Sequence, residues 1–116
     1  MSSASRPFTH IVADLSGVSP AQLRDASLLS GLLIAGAGGA GFTAVATPVV
    51  YTRPNESVAA ILVLDSCHIA MHSFPERELL LLDILTPAEH DGRKVIDVFS
   101  RRLSPRGIRS ETLPRG

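Results

Sequence analysis

A chain of 116 residues has room for one hydrophobic core and little for a second. Its composition, 45% hydrophobic and 19% charged, is that of a compact globular protein, and 11 basic against 11 acidic residues leave no net charge to favour nucleic acid or an anionic membrane. The single Cys67 excludes an internal disulfide and suits a reducing, cytoplasmic setting, while "MSSASRPFTH" has neither the basic start nor the apolar segment of a secretory leader.

The first element is the alternating segment "PFTHIVADL" (7–15), with Phe8, His10, Val12 and Asp14 on one face and Thr9, Ile11, Ala13 and Leu15 on the other. Ser16-Gly17 is a turn signal. Ser19 then stands as a helix cap with Pro20 in the first helical position, followed by Leu23, Leu28, Leu29, Leu32 and Leu33 at helical spacing, until the glycines Gly36 to Gly41 end the helix. The apolar run 26–50 is long enough to span a bilayer, but Ser27, Ser30 and the glycine cluster break it into helix, turn and strand.

Residues 42–51 and 57–66 are β-branched and apolar, joined across Thr52-Arg53-Pro54-Asn55 as a hairpin, and "HIAMHSF" and "LLLLDILT" are two further strands. Residues 91–103 form an amphipathic helix with Val95, Ile96, Val98, Phe99 and Leu103 on its apolar side. "GIRSETLPRG" closes as a short strand or tail. The order β-α-β-β-β-β-α-β predicts one α+β domain over 1–116, a two-layer sandwich whose largely antiparallel sheet carries two helices, about 25–40 and 91–103, on one face. Arg93, Arg101, Arg102, Arg106, Arg109 and Arg115 make the C-terminal part basic; without an aromatic stacking platform they predict a solvated face, with no nucleic-acid partner.

Two motifs carry less than they promise. "GAGGAG" (36–41) has the glycine spacing of a dinucleotide fingerprint, but that mechanism needs a strand before the glycines and a helix after them, and here the order is reversed. The segment reads as a helix C-terminus and close-packing turn. His68 and His72 lie four apart on a strand and share a face while Cys67 points to the other, so the three do not converge as zinc ligands and no metal is predicted.

The stretch "SCHIAMHSFPE" (66–76), at the end of an apolar strand, gathers the only thiol, a hydroxyl and two histidines. With His10, Asp14 and Gly17 in a His-x-x-x-Asp-x-x-Gly pattern, and "LDILTP" (82–87) beyond it, the chain resembles the prokaryotic S-adenosylmethionine decarboxylases, whose processing strand reads Glu-Ser-His-Ile-Ser-Ile-His-Thr-Trp-Pro-Glu. The resemblance implies a pyruvoyl enzyme of polyamine synthesis. In that family a serine attacks the preceding carbonyl, the resulting ester eliminates, and the chain is cut to leave a pyruvoyl group that acts as the electron sink for decarboxylation. It also implies a homodimer, S-adenosylmethionine as substrate, His72 as processing base, Glu76 on the ribose hydroxyls and Phe74 near the purine in place of a tryptophan.

Aligned without gaps, the family's pyruvoyl-forming serine is Cys67, the glutamate before it Ser66, its acid cysteine Pro87, and a further serine eight residues upstream of the cleavage position Ala59. A thiol could still attack and eliminate, so Cys67 is a candidate precursor. One inserted residue would instead place Ser66 there. The departures imply poor self-processing and poor decarboxylation. They leave open an unprocessed, pyruvoyl-free homologue that binds an adenosyl compound, catalyses a different reaction, or regulates an active paralogue.

Overall fold

The computed structural model describes residues 6–116; residues 1–5, the start of the segment read above as lacking a leader, lie outside the described residues. Its elements are β1 (Phe8–Ser16), α1 (Pro20–Leu23), α2 (Ala26–Gly39), β2 (Val49–Thr52), β3 (Val58–Val63), β4 (His68–Phe74), a 3-10 turn (Pro75–Arg77), β5 (Leu79–Pro87), α3 (Arg93–Leu103) and β6 (Gly107–Arg115). The six strands form one antiparallel sheet in the order β2-β3-β4-β5-β1-β6. This is the α+β architecture that the element order predicts.

Period-two alternation decides which face is covered. Ile11, Ala13 and Leu15 of β1, Val58, Ala60 and Leu62 of β3, Ile69 and Met71 of β4, and Leu80, Leu82 and Ile84 of β5 are buried in one core with Leu29, Leu32 and Leu33 of α2 and Val95, Phe99 and Leu103 of α3. The opposite face carries His10, Val12, Asp14, His68, Ala70, His72, Phe74, Leu81, Asp83 and Leu85, none of them fully buried. Among the described residues no helix packs there.

The glycine segment serves packing, as its order in the chain implies. A Cβ on Gly36 would stand 3.0 Å from Val95 Cγ1 and 3.7 Å from Phe99, so the missing side chain is what lets α2 and α3 approach. Gly41, with φ at +79°, turns the chain out of the helix in a conformation that favours glycine.

Three local expectations change. Ser19 occupies the cap position before Pro20 but its side chain caps nothing, and the helix it starts ends after Leu23; Asp25 restarts the chain by accepting from Leu28 N–H, so one long helix becomes a short α1 and a 14-residue α2. Residues 42–51 are strand only from Val49, with a lone bridge between Ala44 and Leu64, because the β-branched residues before Pro48 find no continuous partner. The C-terminal segment, expected to be short, is a nine-residue strand paired along the whole of β1. Among the described residues no helix is long and apolar enough to cross a membrane.

One buried polar group ties the layers together. Ser73 Oγ, fully buried on β4, accepts from Val58 N–H at 2.9 Å and donates to the Leu23 carbonyl at 2.7 Å. Ser73→Ala strips both backbone groups of this partner and is expected to cost about 1–3 kcal/mol. Urea unfolding reads it as a lower midpoint at unchanged slope.

Candidate active site

β3 and β4 form a tight hairpin, closed by Leu64 N–H donating to the Cys67 carbonyl at 2.9 Å, with Asp65 and Ser66 as its turn and Cys67 directly after them. Ser66 is exposed and Cys67 half-buried. The peptide bond between them therefore sits at an accessible loop tip rather than inside a paired strand. Beside it opens a pocket of about 370 Å³ lined by Phe8, Ser66, Cys67, Leu85, Arg115 and Gly116. Pro87, the position of the family's acid, ends β5 opposite Phe8, near this pocket, and presents no ionisable group.

His72 belongs to a different place. It pairs with Ala59 across β3 and β4 and lines a pocket of about 230 Å³ with Val49, Tyr51, Ala59, Ala60 and Ile61. It lies five residue steps along the chain from Cys67, about 16 Å at ~3.3 Å per step of extended strand. Phe74 follows His72 on the same open face and Glu76 is exposed on the 3-10 turn, so both lie further still from the hairpin tip. The candidate residues thus divide into two half-sites. Ser66, Cys67 and Pro87 are at one end of β4, and Ala59, His72, Phe74 and Glu76 are at the other.

Between the half-sites runs a polar row that crosses four strands. Arg115 on β6 donates from Nη1 to His10 Nδ1 at 2.9 Å, and His10 Nε2 meets Asp83 Oδ1. His68 Nε2 lies 3.7 Å from Asp83 Oδ2. A guanidinium can only donate, so Nδ1 of His10 must be the acceptor and its ring proton sits on Nε2, donating to Asp83. His68 faces the open side with His72, as their spacing predicts, whereas Cys67, expected on the opposite face, precedes the strand and lines a pocket with the open-face residues Phe8, Leu85 and Arg115, because strand alternation does not extend into the turn. Among the described residues no three His, Cys, Asp or Glu side chains come together to hold a metal.

Sequence reading picks out His10 as a motif position without finding its partners. β1 lies between β5 and β6, neither of which is its neighbour in sequence, so the row appears only once the strand order is known. The other C-terminal arginines are differently placed. Arg93, Arg106 and Arg109 pair with Asp91, Glu78 and Asp14 at 3.4, 3.0 and 3.0 Å, and Arg101 and Arg102 lie exposed in the last turn of α3.

Residues 9–116 match the family model for S-adenosylmethionine decarboxylase. The arginine decarboxylase proenzyme of Aeropyrum pernix is 32% identical over 100 residues, 84% of this chain and 75% of that protein. The S-adenosylmethionine decarboxylase proenzyme of Brevibacillus brevis is 30% identical over 108 residues, 92% of this chain and 80% of its own. In fold the chain is similar to the crystal structure of the adenosylmethionine decarboxylase from Aquifex aeolicus, with a TM-score of 0.85 at 24% identity, covering 96% of this chain and 92% of that one. With the family model matched from β1 to the end of β6, and with the sheet and helices arranged as in that structure, the chain belongs to the S-adenosylmethionine decarboxylase family.

Proposed function

We propose that this chain keeps the fold, the paired subunits and the ligand pocket of its family but cuts itself, and decarboxylates S-adenosylmethionine, poorly or not at all. The observation that carries this is what stands at the aligned reactive positions: Pro87, paired with Phe8 at the end of β5, gives no acid, and at the distant half-site the residue across from His72 is Ala59, which gives no hydroxyl. A pyruvoyl group would have to arise from Cys67 or, in the shifted register, Ser66. Both are accessible at the turn, so there is space for the group. The surrounding side chains do not suit it, because making and using it needs a positioned base, a supported oxyanion and an acid, and two of the side chains aligned with the family's reactive positions are a methyl and a proline ring.

The separation of the half-sites, roughly 16 Å along the strand, bears on assembly. Within one subunit His72 cannot reach the α-carbon of residue 67, whereas a second copy packed antiparallel on the open face would bring its His72 end over the first subunit's hairpin tip. That face is rich in apolar side chains, with Val12 39%, Ile61 37% and Val63 45% exposed beside Leu81, Leu85 and Phe74. It is the surface a homodimer would cover. Light scattering at micromolar concentration is expected to give twice the 12.3 kDa chain mass. A monomer there would contradict the pairing.

The ligand in this reading is an adenosyl compound lying where the second copy brings the two half-sites together, its adenosyl part held by Phe74 and Glu76, as the family resemblance implies, with His72 left as a base beside it and its amino-acid part toward the hairpin tip. The similarity to an arginine decarboxylase proenzyme favours a second possibility, an amino acid other than S-adenosylmethionine in the same pocket. Release of carbon dioxide from carboxyl-labelled S-adenosylmethionine and L-arginine tests both. Turnover at least about 10²-fold below that of the Brevibacillus brevis relative is expected on either substrate, given what a single proton-transfer group contributes. Comparable turnover would overturn the proposal.

A further inference from the structure

Arg115 is held in an unusual way for a surface arginine. Its one side-chain bond among the described residues is to a neutral imidazole nitrogen, and it forms no ion pair there, unlike Arg93, Arg106 and Arg109 on the same part of the chain. His10, which accepts that bond, is itself fixed through its other nitrogen by Asp83, and Asp83 is flanked on its second oxygen by His68. The row orients the guanidinium without using up its charge, since a guanidinium has five donors and only one is engaged with His10.

Arg115 also lines the Cys67 pocket. The other lining residues are Phe8, Leu85, Ser66, Cys67 and Gly116; none has an acidic side chain, and the Gly116 main-chain oxygen is engaged by Arg6 Nη1, which donates to it at 2.9 Å. A cavity of about 370 Å³ with two apolar walls and one fixed cation suits a small organic anion whose body lies on Phe8 and Leu85. The planar, forked guanidinium matches a carboxylate in particular.

We infer that Arg115, positioned by His10 and Asp83, anchors the carboxylate of an amino-acid ligand in the Cys67 pocket and keeps that carboxylate in place. An arginine contact favours the charged ground state, whereas a carboxylate becoming carbon dioxide loses its charge on the way to the transition state. A cation at this point therefore stabilises the bound acid more than its decarboxylation. The inference rests on the ligand-binding reading proposed above, and not on whether the peptide between Ser66 and Cys67 is cut.

The test uses the full-length protein and two pairs of probes, S-adenosylmethionine with its decarboxylated form and L-arginine with agmatine, each titrated calorimetrically. In at least one pair the acid is expected to bind about 10- to 100-fold more tightly than the amine lacking the carboxylate, the range of a hydrogen-bonded charge pair. Arg115→Gln is expected to abolish the difference by weakening the acid alone, and Arg115→Lys to retain part of it. His10→Ala is expected to reduce it. His10→Gln, which can accept from Arg115 through Oε1 and donate to Asp83 through Nε2, is expected to restore it. Equal or tighter binding of both amines, no binding of any probe, or a preference that survives Arg115→Gln would overturn the assignment to Arg115. A preference unmoved by His10→Ala would overturn the role of His10. The mass of the same sample reports cleavage separately, so a cut chain that still prefers the acids would sink the uncut reading and leave the arginine's role standing.

Discussion

The triple variant Ala59→Ser, Cys67→Ser, Pro87→Cys is expected to cut itself far faster than the unaltered chain. Each change returns a group that the family chemistry uses. A serine at 59 places a hydroxyl across from His72, at a half-buried position on the open face. A serine at 67 supplies the oxygen nucleophile at an accessible hairpin turn, and a cysteine at 87 restores an acid at the end of β5. A positioned proton-transfer group contributes about 10²- to 10⁴-fold, so recovery of the supporting groups together is expected to raise the cleavage rate by at least about 10²-fold. Denaturing electrophoresis over time reads this directly as two fragments from the variant. If the variant cleaves no faster than its parent, the loss lies elsewhere in the fold and not at these positions.

Phe99→Ala is the second large effect, and it concerns the scaffold. Phe99 is fully buried where α3 packs on α2 at Gly36, and the neighbouring Val95 already fills the space that glycine leaves. The backbone cannot close over a lost ring when the helices are in contact, so a cavity remains. The expected cost is about 3–5 kcal/mol. Against a typical domain stability of about 5–15 kcal/mol, this is a large fraction. Thermal unfolding followed by circular dichroism is expected to show a strongly lowered midpoint, and an unchanged one would mean that the α2–α3 contact is not part of the core.

Sheet and helices were legible in the sequence because their patterns are regular. β1, β4 and β5 alternate cleanly, and α3 separates Val95, Phe99 and Leu103 from Arg101 and Arg102. What escaped depended on partners. Residues 43–47 have β-branched side chains suited to a strand, yet the fold gives them only the bridge at Ala44, and propensity cannot reveal a missing neighbour. The tail looked irregular because Pro114 and several polar residues interrupt it, but pairing with β1 makes it a strand.

The site was legible in part for the same reason. Ser66, Cys67 and His72 stand out by type and spacing, and the roles proposed for them are what the family resemblance implies. The division into two half-sites follows from the length of β4, which the sequence also contains. The row from Arg115 through His10 to Asp83 does not announce itself. It joins residues 105 and 73 positions apart, brought together by the insertion of β1 between β5 and β6. No local pattern could have shown it.

Under the proposed reading, this member of the family persists as an uncut chain. The intact mass of the purified protein under denaturing conditions tests it most directly. A single species near 12.3 kDa is the result predicted. Two fragments, one ending at Ser66 with a blocked N-terminus on the other, or one ending at Asp65 if Ser66 is the precursor, would contradict it and show that the thiol or the shifted hydroxyl is sufficient.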